Sequence, residues 1–175
     1  MSRYIRYQGA ILRDDHILLI KHCEHASGRS YWLLPGGGRE SGETEEACIR
    51  REMREETHLE VSVDRLLLEE TVNSRQGYQC YKTYLCWAES GEAHPGYEPE
   101  ESASSIYAID EVGWFDLRVP EEWDEKVKTD PITYPLLQRV RAALEYPVVD
   151  FNGDCNFQLT EYLVNYPDKL IFIKK

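Results

Sequence analysis

The chain has 175 residues, the size of one ordinary domain, for which roughly 100 to 200 residues is usual. With 42% hydrophobic and 30% charged residues it can bury a core, which excludes disorder as an overall description. Twenty Lys and Arg against 32 Asp and Glu leave a net charge of −12, which repels a polyphosphate backbone and argues against nucleic-acid binding. A small phosphorylated ligand can still bind where a divalent cation stands between it and the acids.

Elements follow in chain order from the punctuation of the sequence. Tyr7 to Leu12, the turn at Arg13, Asp14 and Asp15, and Ile17 to Lys21 predict a hairpin. A polar loop from His22 to Ser30 precedes the short apolar patch Tyr31 to Leu34, which Pro35 ends because it lacks an amide hydrogen. Gly36, Gly37 and Gly38 read as a flexible loop, and a helix is expected from about Glu45 to Thr57. Val61 to Val72 and Tyr81 to Trp87 are rich in β-branched and aromatic residues and read as strands. Glu89 to Ser105 carries Pro95, Gly96 and Pro99 and reads as a long acidic loop, followed by a short strand, Gly113 to Leu117. Pro131 to Tyr146 has a helical period, and the tail from Val148 to Lys175 ends in a plausible last strand, Lys169 to Lys175. The order argues an α+β fold with helices against a mixed sheet: one domain over residues 1–147, with residues 148–175 an extension packed on it. That extension could add to the core, cover a cleft or contact a second copy of the chain in a homodimer.

Charge is unevenly spread. From Glu89 to Lys126 twelve acids face only Arg118 and Lys126, whereas Gly37 to Leu59 holds seven acids and four arginines. The five cysteines show no CxxC pair, no run approaches the roughly 18 apolar residues of a membrane span, and the N-terminus lacks an apolar leader core. A reducing, cytoplasmic setting without a membrane partner is the expectation.

In the helix, about 100° per residue brings Glu52, Glu55 and Glu56 within about 100° of arc, with Arg50 and Arg54 on the far side. Charge runs are usually solvated faces. Here, however, the like charges of Glu52 and Glu56 at i and i+4 cost about 0.2–0.5 kcal/mol on a bare helix, and a hard divalent cation offsets that. Thr44 is placed to cap the helix, with Glu45 and Glu46 in its first turn. Glycines, a tight connection and a carboxylate helix together suggest a metal–phosphate site.

The segment GGRESGETEEACIRREMREETHL resembles the box of the Nudix hydrolases, with Gly37, Glu43, Arg51, Glu52, Met53, Glu55, Glu56 and Leu59 in register. The preceding YWLLPGGG is also typical of that family. His58 stands where the pattern has glycine; a left-handed turn at modest strain, with an exposed imidazole, is expected there.

The resemblance implies a Nudix α/β/α sandwich and hydrolysis of a diphosphate linkage in a nucleoside diphosphate joined to another group, as in nucleotides or nucleotide sugars. It implies Glu52, Glu55, Glu56 and the carbonyl of Gly36 as ligands of Mg²⁺ or Mn²⁺, and Arg51 beside the three glutamates among the catalytic residues. It gives Gly37 and Glu43 structural roles in the box, Glu43 by pairing with Arg51. A further acid remains open among Asp110, Glu111, Glu98, Glu100 and Glu101. Tyr78, Tyr81, Tyr84 and Trp32 could stack a base or pack the core, and Arg3, Arg6, Arg13 and Lys21 could meet phosphates or water. The small phosphorylated substrate resembles those of the MutT-like members; the alternative is a Nudix-fold domain that binds a nucleotide without cleaving it.

Overall fold

The computed structural model describes residues 4–72, 77–97, 104–147 and 171–172. β1 (Ile5–Arg13) and β2 (His16–Glu24) are joined by Asp14 and Asp15, both at positive φ (47° and 62°), the backbone of a two-residue turn that matches the strand twist. β3 (Ser30–Leu33), β4 (Gly36–Gly38), α1 (Glu45–Thr57), β5 (Glu60–Thr71) and β6 (Cys80–Ser90) follow. Then come β7 (Tyr107–Asp116), a single 3-10 turn at Pro120–Glu122, the short α2 (Glu125–Lys128), α3 (Thr133–Ala143) and β8 (Ile171–Phe172).

The sheet runs β3-β2-β1-β6-β5-β8, with β4 beside β1 and β7 beside β2. β1 lies parallel to β6, and the other pairs are antiparallel. β1 and β2 pair only at Leu12–Ile17 and Arg13–His16. Beyond that they part. Gly36–Gly38 takes the freed edge of β1, Ser30–Leu33 the freed edge of β2, and Leu34 and Pro35 cross between them. This wedge positions the site.

Alternation along β1 and β2 builds two cores. Tyr7, Ile11 and Leu18 pack with Cys48, Ile49 and Met53 of α1. Ala10, Leu12, Ile17 and Leu19 pack on the opposite face with Leu137 and Val140 of α3. A helix on each face of a mixed sheet is the expected α/β/α sandwich.

Several expectations change, among them the polar loop expected from His22, since β2 runs on to Glu24. The glycines form a buried strand rather than a loop. The helix expected over 131–146 covers Thr133–Ala143, because the Asp130 carboxylate accepts from the amides of Ile132 and Thr133 and fixes the start later. The strand expected from Gly113 begins at Tyr107, since β2 offers a complete edge from His16 to Glu24 and pairing overrides the acidic residues Asp110 and Glu111. Of the two roles open to Trp32, the structure shows core packing: it is only 3% exposed and lies edge-on to Phe115. Of the C-terminal extension, Ile171–Phe172 pairs with β5 opposite Glu70 and Glu69; the rest of 148–175 lies outside the described residues.

Candidate functional site

α1 starts and stops where its sequence dictates. The Thr44 hydroxyl accepts from the Ala47 amide (3.1 Å), and His58 ends the helix in a left-handed conformation (φ 60°), donating its amide to the Arg54 carbonyl (3.0 Å). The His58 side chain is exposed, as expected.

The face turned toward β4 carries the carboxylates. Glu52 is 7% exposed and Glu56 1%, while Glu55 is half-buried. A Glu56 oxygen accepts from the Gly36 amide (2.7 Å). Gly36 has φ 149°, and a Cβ there would lie 2.1 Å from the Tyr7 carbonyl oxygen, so only glycine fits beside β1. A Cβ on Gly37 would instead lie 2.4 Å from Glu52 Oε1, so the bare backbone at 37 makes room for that carboxylate.

Arg51 organises the rest. Its Nε and Nη2 donate to the two oxygens of Glu43 (3.0 and 3.2 Å), Nη2 also donates to the Gly38 carbonyl (3.0 Å), and Nη1 reaches Glu52 and Glu55 (2.9 and 3.0 Å). This ties loop, strand and helix together through one planar fork. Burial disfavours the Arg51 charge, but Glu43 and Glu52 outweigh it and raise its pKa. Burial also opposes the Glu43 charge, yet the bond from Arg51 holds that carboxyl below its usual range. Burial pushes Glu52 up to about 6 despite Arg51.

Glu52 and Glu55 thus close on Arg51, and Glu56 on Gly36. Among the described residues, no three His, Cys, Asp or Glu side chains surround one point as a bound metal requires. The donor set still suits a hard cation: carboxylate oxygens on one helical turn, two nearly buried, against a strand whose glycine leaves the carboxylate uncovered.

The sequence did not reveal how the last turn of α1 is held. The amides of His94, Gly96 and Tyr97 donate to the carbonyls of Thr57 (3.1 Å), Glu56 (2.9 Å) and Glu55 (3.0 Å). They satisfy acceptors that a helix end leaves bare, in the turn bearing two of the three carboxylates. A Cβ on Gly96 would come 1.8 Å from the Glu55 carbonyl oxygen. The Pro95-Gly96 pair signals only a turn in sequence; the close approach is a tertiary fact.

Of the basic candidates, Arg6 reaches this region. It is half-buried, donates to the Leu34 carbonyl (3.2 Å), and has Tyr78 beneath its guanidinium at 5.8 Å. Burial works against its charge, but Glu56, Tyr78 and Glu52 outweigh that and raise its pKa. Arg13 lies over Trp114, and Lys21 pairs with Glu111 (2.8 Å). Among the aromatic candidates, the Tyr84 hydroxyl donates to Glu45, which Lys82 also meets at 2.7 Å, so Tyr84 anchors the helix start; Tyr81 packs edge-on to Tyr78. Asp110 is exposed on β7. Arg3, Glu98, Glu100 and Glu101 lie outside the described residues.

Comparison with known proteins matches residues 3–135 to a family model described as the NUDIX domain. The NAD-capped RNA hydrolase NudC of Photobacterium profundum is 33% identical over 99 residues; the match covers 57% of this chain and 35% of NudC, so the chain spans about a third of that relative. The MutT NUDIX hydrolase from Burkholderia pseudomallei superposes with a TM-score of 0.56 at 28% identity, covering 80% of this chain and 99% of that one. A NUDIX hydrolase from Nitrosomonas europaea reaches a TM-score of 0.62 at 19% identity, covering 87% and 100%, which speaks to the fold alone.

Proposed function

The chain belongs to the NUDIX family, and from that premise we propose that it is a metal-dependent hydrolase of a diphosphate linkage in a nucleoside diphosphate joined to another moiety. The observation that carries the reading is the pair of nearly buried carboxylates, Glu52 and Glu56, set against a glycine strand, with Arg6 on the strand paired to it. A solvated helix face leaves its acids in water, whereas these two are held in the interior by Arg51 and the Gly36 amide.

Glu52, Glu55 and Glu56, with the Gly36 carbonyl, would hold Mg²⁺ or Mn²⁺. Such an ion, when bound, neutralises charge on phosphate oxygens and makes a bound water a stronger nucleophile. With Glu52 and Glu55 given to the ion, Arg51 would keep its bonds to Glu43 and the Gly38 carbonyl and so hold the loop in place. Arg6, whose charge Glu56 and Glu52 favour, would add positive charge for a phosphate beside that of Arg51.

Substrates of the nucleotide, dinucleotide and nucleotide-sugar classes fit this reading; the NudC relative acts, by its name, on NAD-capped RNA. The described cysteines, Cys23, Cys48, Cys80 and Cys86, are free thiols, which supports a reducing, cytoplasmic setting. No described helix is long and apolar enough to cross a membrane. One observation favours the second reading, a domain that binds without cleaving: Arg51 already occupies Glu52 and Glu55. A panel of nucleoside triphosphates, dinucleoside polyphosphates, NAD and nucleotide sugars, assayed for phosphate or nucleotide release with Mg²⁺ or Mn²⁺, separates the two. Turnover of one class that stops with chelation supports the enzyme, and binding without turnover of any supports the sensor.

A further inference from the structure

α1 ends on charges that its own dipole disfavours. The C-terminal end of a helix carries partial negative charge and favours cations, yet Glu55 and Glu56 lie in its last turn, where Arg54 is the basic residue. A helix also leaves its last four carbonyls without partners of their own, here those of Arg54, Glu55, Glu56 and Thr57. His58 closes only the first, donating its amide to Arg54 (3.0 Å). The other three go to one distant segment: the amides of Tyr97, Gly96 and His94 donate to Glu55 (3.0 Å), Glu56 (2.9 Å) and Thr57 (3.1 Å).

Topology brings that segment there. β6 pairs with β5 as far as Ser90 opposite Glu60, so the chain leaves the sheet beside the exit of α1. Gly91 (φ 96°) turns it back, close enough to the helix end that an added Cβ would lie 3.1 Å from the His58 carbonyl oxygen. Ala93 packs against the core under α1. Gly96 then runs backbone against backbone, where a Cβ would come 1.8 Å from the Glu55 carbonyl oxygen and 2.6 Å from the Glu56 carbonyl carbon. Two features separate this strap from an ordinary helix cap. A cap comes from the residues next to the helix, whereas this one comes from the connection after β6, so it can open as a local event without unfolding the sheet. Its bonds also land on the backbone of Glu55 and Glu56 themselves. The ligands of an ion must be held to within about 0.5 Å by the groups behind them, and a last turn without partners frays.

We propose that the strap Gly91–Tyr97 positions Glu55 and Glu56 for the divalent cation. With the strap closed the two carboxylates share one fixed turn of helix; with it open that turn frays and the ion is held more weakly. This rests on the metal-dependent reading for the identity of the ligand, while the strap itself stands on its three hydrogen bonds. Gly96 is a positioning residue, acting through the backbone of α1. Linkage makes the effect mutual: the factor by which closure tightens metal binding is the factor by which bound metal favours closure.

The test uses the full chain without substrate. Binding of Mn²⁺, followed by its electron paramagnetic resonance signal, is compared for wild type, Gly96→Ala and Glu70→Ala. Glu70 lies at the end of β5 opposite to Glu60 and pairs with Arg139, so Glu70→Ala loses stability without touching the strap. Gly96→Ala should bind Mn²⁺ about tenfold more weakly, within the usual range for coupled sites, and Glu70→Ala within about twofold of wild type. In wild type, saturating Mg²⁺ should slow hydrogen exchange of the Gly96 and Tyr97 amides by about the same tenfold, measured by NMR. That second measurement needs no variant, so it decides the matter if Gly96→Ala does not fold. A folded Gly96→Ala that binds Mn²⁺ as tightly as wild type, or strap amides that exchange equally fast with and without Mg²⁺, would overturn the inference while leaving the hydrolase reading intact. An equal loss of affinity in Glu70→Ala would trace the effect to stability alone and overturn it as well. Both expected changes in a protein that turns over no substrate would retain the strap and defeat the hydrolase reading. Wild type that binds neither ion at millimolar concentration would defeat both.

Discussion

Replacing Gly37 with alanine separates the needs of the site from those of the fold. The added Cβ would lie 2.4 Å from Glu52 Oε1, 2.6 Å from its Cδ and 2.7 Å from Oε2. Ordinary contact begins near 3.5 Å, so the carboxylate must retreat by about 1 Å. Those atoms end a flexible side chain, and the retreat strains one Arg51 contact of 2.9 Å rather than the backbone. Losing a charge-assisted bond of this kind costs about 1.5–3 kcal/mol, which for a chain of this size is a fall in Tm of about 3–12 °C. A misplacement of about 1 Å in a reacting group costs about a hundredfold in rate. Gly37→Ala is thus expected to be folded and about a hundredfold slower in kcat. Gly36→Ala is the control: its Cβ would strike the Tyr7 carbonyl oxygen at 2.1 Å, at a φ that alanine rarely adopts, so that variant loses the fold itself. Thermal unfolding and metal-dependent turnover of both variants decide the matter. Gly37→Ala with turnover within threefold of wild type would refute the placement of Glu52 at the reacting centre.

Other consequences are equally specific. Gly96→Ala pushes the 92–97 segment off the end of α1 and forfeits three amide–carbonyl bonds, each worth about 0.5–1.5 kcal/mol. Denaturant unfolding should therefore show a loss of about 2–4 kcal/mol, and a loss under 0.5 kcal/mol would mean the contact carries no load. The His22 pKa lies near 3 in the fold against 6.5 for the ordinary imidazole. Its neutral form therefore adds stability that is complete above pH 6.5 and is lost as pH falls toward 3, by about 1.4 kcal/mol per unit. Between pH 7.5 and 5.5 wild type should lose about 1 kcal/mol more than His22→Gln, and parallel curves would contradict this assignment. Glu70 on β5 pairs with Arg139 on α3 at 2.7 Å with both side chains buried. Glu70→Ala strands that guanidinium and should cost about 3–5 kcal/mol by the same unfolding measurement.

What the sequence made legible follows from how local each signal is. The helix from Glu45 to Thr57, its Thr44 cap and its left-handed end at His58 depend on neighbours within a few residues, and all three stand as read. Gly36–Gly38 reads as a loop in sequence because glycine is poor in strands. Its true constraint is the close passage of Tyr7, Gln8 and Glu52, which lie far along the chain. Arg6 could not be told from Arg13 or Lys21 by composition; only the wedge between β1 and β2 brings it to the carboxylates. His22 looked like the first residue of a polar loop because the strand's apolar run ends at Ile20, whereas pairing with β3 and β7 extends the strand to Glu24.

The central claim is that the carboxylates of α1 hold a divalent cation that cleaves a diphosphate linkage. Release of phosphate or nucleotide from the best substrate of the panel, measured for wild type and Glu56→Gln with and without Mg²⁺ and after chelation, tests it most directly. Glutamine can still accept from the Gly36 amide, so the variant keeps that bond while losing the charge. The account predicts metal-dependent turnover by wild type, none after chelation, and a loss of at least about a hundredfold in a folded Glu56→Gln. Turnover that survives chelation, or a Glu56→Gln protein as active as wild type, would contradict it.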